Sequence, residues 1–158
     1  MNPRLFVAAI AGRLPAWAET ACAEYVKRMP RGFETRRVVL KPEPRDSAKP
    51  LARVLAAEAR RIEASLPGGA RRVALDERGK DLTSAQLAAQ LRRWLDEGAP
   101  TAFLIGGPDG LDPDLKRGCG FALRLSSLTL PHSLAQLVLC EQLYRTATLL
   151  TGHPYHRE

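Results

Sequence analysis

Cysteine is scarce in this sequence. There are three, Cys22, Cys119 and Cys140, and they lie far apart. An odd, dispersed set excludes a disulfide framework, and the lack of a CxxC pair excludes a thiolate metal site. The three read as small buried hydrophobes in a reducing cytoplasm. Histidine is equally sparse: His132, His153 and His156. Pro154 lies between the last two and no cysteine is near, so no metal is expected. Long hydrophobic runs are missing as well. The longest charge-free stretch, Leu125–Cys140, is interrupted by Pro131. It falls short of the ~20 apolar residues that a membrane-spanning helix needs. The opening MNPRLFVAAIAGRLPAW lacks the long apolar region and cleavage site of a signal peptide, and reads instead as a first strand followed by a glycine. Nor is there a GxGxxG, a GK[ST] or a GxSxG motif, which removes the usual dinucleotide, ATP and serine-hydrolase readings.

What is there suits one globular domain over residues 1–158. The hydrophobic fraction of 45% and charged fraction of 26% are ordinary for a folded chain, which excludes disorder by composition. The net charge of +7 is unevenly spread. Residues 1–72 hold 15 Lys and Arg against 7 Asp and Glu, whereas residues 73–158 hold 9 against 10. A basic half of this kind suits a polyanion, and nucleic acid is the commonest one.

Periodicity predicts alternating strands and helices. Leu5–Ile10 (LFVAAI), Thr35–Leu40 (TRRVVL), Arg72–Leu75 (RVAL), Thr101–Ile105 (TAFLI) and Phe121–Leu125 read as strands. Helices are predicted from Pro15 to Pro30, from Pro50 to Leu66, from Thr83 or Ser84 to Gly98, briefly near Asp112, and from Pro131 to about Leu150. The segment KPEPRDSAKP, Lys41–Pro50, reads as a charged, mobile loop, and DERGK after Leu75 as a turn. Such alternation implies an α/β fold, a parallel-type sheet flanked by helices.

In such sheets ligands sit beyond the carboxyl ends of the strands. Three strand ends are informative. LIGGPDGL (Leu104–Leu111) places adjacent glycines where a ligand can approach backbone without meeting Cβ, although a tight turn also needs them. LSSLTLPH (Leu125–His132) interleaves hydroxyls with leucines. It can offer main-chain hydrogen bonds and apolar walls to a flat heterocycle, or be an irregular connector. LDERGK (Leu75–Lys80) is an ordinary charged turn. The tail HPYHRE joins tyrosine, histidine and arginine, side chains that stack on bases and contact phosphate.

Taken together, strand-then-GGPDG, SSLTLPH, EQLYR (Glu141–Arg145) and HPYHRE resemble the RlmH family of SPOUT-class methyltransferases, which act on ribosomal RNA. LDERGK and the Trp17 helix also sit where that family has them. The resemblance spans essentially the whole chain and is weakest over Lys41–Pro50. It implies a SPOUT α/β-knot fold with a C-terminal trefoil knot, although general topology rules disfavour knots. It also implies a cytoplasmic homodimer using S-adenosylmethionine and no metal. The expected reaction is N3-methylation of a pseudouridine in helix 69 of 23S rRNA on the assembled 70S ribosome, away from any membrane. By the same resemblance Leu75, Gly106, Gly107, Leu125, Ser126, Ser127, Leu128, Thr129 and Leu130 would wrap the cofactor. Tyr155, His156 and Arg157 would order over the methyl donor and hold the target nucleotide, with His132 and Arg145 as further catalytic candidates. Two alternatives stand beside this: a SPOUT methyltransferase of another RNA such as tRNA, and a non-catalytic ribosome-binding protein. The latter would show a damaged cofactor loop or tail, and here both are intact.

Overall fold

The computed structural model describes residues 2–157. Five strands, β1 (Leu5–Ile10), β2 (Thr35–Leu40), β3 (Arg71–Asp81), β4 (Thr101–Ile105) and β5 (Phe121–Arg124), form one sheet in the order β2-β1-β4-β3-β5. Every neighbouring pair is parallel. Between them run α1 (Ala16–Lys27), α2 (Leu51–Ser65), α3 (Ser84–Asp96) and the short α4 (Pro113–Gly118). After β5 come α5 (His132–Thr151) and a 3-10 turn, Pro154–Arg157.

The two inner strands explain the arrangement. All residues of β1 and β4 are buried, as near-continuous apolar strands covered on both faces must be. Alternate residues of β1 serve opposite cores. Leu5, Val7 and Ala9 join Leu87, Leu91 and Trp94 of α3 and Leu139, Leu143 and Ala147 of α5. Phe6, Ala8 and Ile10 join Ile62 of α2 and Leu111. With few aromatics available, Trp94 does much of the filling: its ring lies edge-on to Phe121 at 5.2 Å and Phe103 at 6.3 Å. The other tryptophan, Trp17 in the first turn of α1, is 55% exposed. At the sheet edge, β2 exposes Arg36 and Val39; an edge arginine discourages pairing with another chain.

Local signals match these elements. Thr83 and Gln86 form a reciprocal cap at the start of α3, with Gln86 N–H donating to Thr83 Oγ1 and Thr83 N–H to Gln86 Oε1. Gly152 ends α5 in the left-handed region (φ 78°), and the His153 N–H donates to the Thr148 carbonyl at 3.0 Å. That reversal folds the following 3-10 turn back onto α5. Cys22 and Cys140 are buried, Cys119 is half-buried, and all three are free thiols.

Two expectations need correction. DERGK is no free turn after a short strand: β3 continues through it to Asp81. Leu75 and Lys80 both pair with Leu123 of β5, so residues 76–79 bulge out of the ladder. Nor is Lys41–Pro50 a loop left free of the fold. Arg45 joins Glu58 of α2 at 2.6 Å and Asp109 at 3.2 Å, Lys49 joins Glu43 at 2.9 Å, and Glu43 also pairs with Arg61. Partners distant in sequence hold the segment down.

Gly79 closes the bulge against β5. A Cβ there would lie 2.7 Å from the main-chain carbons of Ala122 and Leu123. Gly79→Ala is therefore expected to destabilise the protein by about 1–3 kcal/mol, an overpacking cost that backbone cannot relieve. Gly68→Ala, with nothing within 4 Å, is expected to be near neutral. Urea denaturation of both variants checks this; equal midpoints would refute it.

Candidate functional site

The bulge of β3 and the carboxyl ends of β4 and β5 border an open cavity of about 920 Å³. The sequence-predicted cofactor residues Leu75, Gly106, Gly107 and the whole of Leu125–Leu130 line it together. They come from three places, the β3 bulge, the turn after β4 and the segment after β5, on the side where an α/β sheet opens to ligands. The Gly106–Gly110 segment folds on itself: the Gly110 N–H donates to the Gly107 carbonyl at 3.0 Å, and these two glycines form an isolated bridge. Gly106 packs so closely beneath this turn that a Cβ would collide with the main chain of Gly110, and with the Leu111 nitrogen at 2.6 Å. The glycine thus serves the turn and leaves bare backbone on the cavity wall. In the Leu125–Leu130 segment, the Leu128 N–H donates to Ser126 Oγ at 2.9 Å, which makes a local turn, and Leu128 stands 75% exposed at the cavity.

Sequence reasoning missed several charged members of the wall: Asp76, Lys116, Arg124 and Asp109. Asp76 is the best defined. Burial pushes its carboxyl upward, but the Arg78 N–H at 3.1 Å and the Lys116 ammonium at 3.1 Å outweigh that and hold it below the usual range. It is a fixed carboxylate at neutral pH. The only sequence signal was its place directly after the end of a buried run, in LDERGK.

A second cavity, about 600 Å³, adjoins the first across Gly106, Gly107 and Leu130. His132 lines it together with Arg13, Pro15 and Pro42. A polar chain fixes the state of this histidine. Arg37, paired with Glu19, donates from Nε to Gln136 Oε1 at 3.0 Å. The Gln136 amide nitrogen is therefore left to donate to His132 Nδ1, 3.3 Å away. His132 accepts at Nδ1 and carries its proton on Nε2, while burial lowers its pKa and keeps it neutral.

The remaining candidates gather elsewhere. Tyr155 donates to Glu141 Oε2 at 2.9 Å, its hydroxyl lies 3.2 Å from that of Tyr25, and its ring sits edge-on to Tyr144 at 4.6 Å. Arg145 pairs with Glu141 at 3.0 Å and lies 5.2 Å from the Tyr155 ring. Burial, then the hydrogen bonds to Tyr25 and Glu141, push the Tyr155 phenol well up, so it stays protonated. His156 and Arg157 belong to the same 3-10 turn. None of Arg145, Tyr155, His156 and Arg157 lines the cofactor-sized cavity of its own chain. The structure thus unites Arg145 with the tail, places His132 in the second cavity, and keeps these two groups apart. Among the described residues no cluster of His, Cys, Asp and Glu could hold a metal ion, and no helix is long and apolar enough to cross a membrane.

Known proteins share this architecture. Residues 4–156 match a family model described as predicted SPOUT methyltransferase. A Bordetella avium protein named ribosomal RNA large subunit methyltransferase H is 56% identical over 154 residues, which is 98% of this chain and 99% of its own. A protein of the same name from Paraburkholderia xenovorans is 52% identical with the same coverage. The crystal structure of a probable methyltransferase from Bordetella pertussis Tohama I superposes with a TM-score of 0.57 at 20% identity, covering 92% of this chain and 96% of that one. That likeness supports the fold, and the family match and sequence identity go further. The strand order, the glycine turn and the cavity they build are those of a chain that belongs to the SPOUT methyltransferase family.

Proposed function

We propose that this protein uses S-adenosylmethionine to methylate N3 of the helix 69 pseudouridine of 23S rRNA on assembled 70S ribosomes. It would act in the cytoplasm as a homodimer. The observation that carries the reading is the cavity beyond β3, β4 and β5, in a chain 56% identical to a named large-subunit rRNA methyltransferase. The cavity fits the cofactor. Its volume lies within the ~300–1,000 Å³ of small-molecule sites, its glycine wall is free of side chains, and leucines alternate with hydroxyls on the facing segment. Leu75, Gly106, Gly107 and Leu125–Leu130 would hold the cofactor, with main-chain groups meeting the adenine edge and leucines its faces. The trefoil knot implied by the family belongs to this proposal.

When bound, S-adenosylmethionine supplies a methyl group on a sulfonium sulfur that departs as a thioether. The protein's share is alignment, exclusion of water and management of the N3 proton. Tyr155, His156 and Arg157 would grip the nucleotide, and Arg145 would steady Tyr155. His132 is a donor in this arrangement, because its Nδ1 is already occupied by Gln136. The tail does not line its own chain's cavity, which favours a dimer in which one subunit's tail completes the other's site. The basic half would dock on rRNA phosphates. Among the described residues, Arg31, Arg36, Lys41, Arg53 and Arg60 make no ion pair and are available for that task.

Labelled S-adenosylmethionine and 70S ribosomes from a strain lacking the gene test the proposal, with 50S subunits and tRNA as competing acceptors. The intact chain is expected to label the helix 69 pseudouridine. A chain ending at Gly152 is expected to bind cofactor but lose transfer by at least about 100-fold, the scale of lost positioning. Label in tRNA alone would overturn the substrate. In mixed dimers, a tail-deleted chain paired with a Gly106→Ala chain is expected to recover activity through the one site that keeps an intact cavity and an intact tail. An inactive mixture would rule out shared sites. Ribosome affinity is expected to fall at least about 100-fold between about 50 and 200 mM salt; a flat profile in a filter-binding assay would remove the phosphate-docking role.

A further inference from the structure

Beyond Lys41 and Pro42, the proline-rich segment Lys41–Pro50 has no place in the function described so far, yet among the described residues it carries a dense ion-pair network. Its centre is Glu58 of α2, a carboxylate only 3% exposed. Glu58 Oε2 accepts from the Glu43 N–H at 3.0 Å and from Arg45 Nη1 at 2.6 Å. A buried carboxylate is costly unless it is paired and hydrogen-bonded, so Glu58 gives Arg45 a fixed seat. Arg45 Nη1 also donates to the Glu43 carbonyl at 2.7 Å. The rest of the guanidinium faces away from α2: Nε and Nη2 both donate to Asp109 Oδ2 at 3.2 Å. Asp109 is the tip of the Gly106–Gly110 turn and part of the cavity wall.

We infer that Arg45 is a positioning residue for the cofactor site: it clamps the tip of the glycine turn to the buried Glu58 of α2 and so holds the Gly106–Gly107 backbone in its ligand-ready shape. The glycines make such a clamp necessary. A turn containing Gly106, Gly107 and Gly110 loses much conformational freedom when it is ordered. Its internal support is one hydrogen bond, Gly110 to Gly107. The clamp needs arginine rather than lysine, because two carboxylates on opposite sides must be met at once by a planar fork.

The inference rests on the cavity being the S-adenosylmethionine site, and the test separates the two claims. Calorimetric titration with S-adenosylhomocysteine is run on the wild type, Arg45→Gln, Arg45→Lys, Asp109→Asn and the Arg45→Gln/Asp109→Asn double variant. Wild-type protein is expected to bind. Each single variant is expected to bind about tenfold more weakly, the loss of a charged hydrogen bond. The double variant is expected to be no weaker than the singles, since both remove one clamp. In turnover, KM for S-adenosylmethionine rises while KM for ribosomes stays near wild type; Asp109→Asn also keeps a near-wild-type melting temperature, whereas Arg45→Gln melts lower because it leaves Glu58 buried without its guanidinium. Wild-type affinity in Arg45→Gln, rescue by lysine, or additive losses in the double variant would overturn the clamp. Failure of the wild type to bind would instead strike the cofactor reading and take the clamp with it. Asp109 is 39% exposed in its side chain, so Asp109→Asn tests the clamp even if Arg45→Gln folds poorly.

Discussion

The double-sided burial of β1 and β4 governs the rest of the molecule. Strands covered on both faces by α2 on one side and by α3 and α5 on the other leave no room for a ligand along their length. The two cavities described above open where these strands stop, at Ile10 and Ile105. The same burial forces the connections to become the working parts, because only they are free of the packing that fixes the strands. Gly106 stands at that boundary, still packed like a core residue on one side and bare on the other.

Two polar networks extend this boundary outward. One runs from Glu19 through Arg37 and Gln136 to His132 and sets a tautomer beside the second cavity. The other runs from Glu58 through Arg45 to Asp109 and braces the turn on the first. Both pass through side chains that are nearly inaccessible, Gln136 at 0% and Glu58 at 2% exposure. Burying a polar group is costly unless it finds partners, and here the partners of Gln136 and of Glu58 Oε2 lead to the cavities.

The fold and the cavity wall were legible in the sequence for local reasons. LFVAAI and TAFLI are buried strands by composition alone, and Gly106–Gly107 and Leu125–Leu130 announce themselves as strand-end segments with exposed backbone. What was not legible depends on contacts across the chain. The bulge at residues 76–79 exists because Gly79 packs on β5, more than 40 residues away. The ordering of Lys41–Pro50 needs Glu58 and Asp109. The tail's residue types pointed to chemistry. Its seat, however, is set by the left-handed Gly152 and by Glu141, Tyr144 and Tyr25, which no local pattern in HPYHRE reveals.

The two tryptophans lie in opposite environments, Trp94 at 4% exposure in the core and Trp17 at 55% on the surface. Trp17 lies in the first turn of α1, two residues beyond the Ala11–Pro15 connection that borders the second cavity. The native protein therefore carries an internal pair of optical reporters. Trp94 emits as a shielded indole that tracks the integrity of the core. Trp17, 55% exposed, is a solvated one, open to aqueous quenchers.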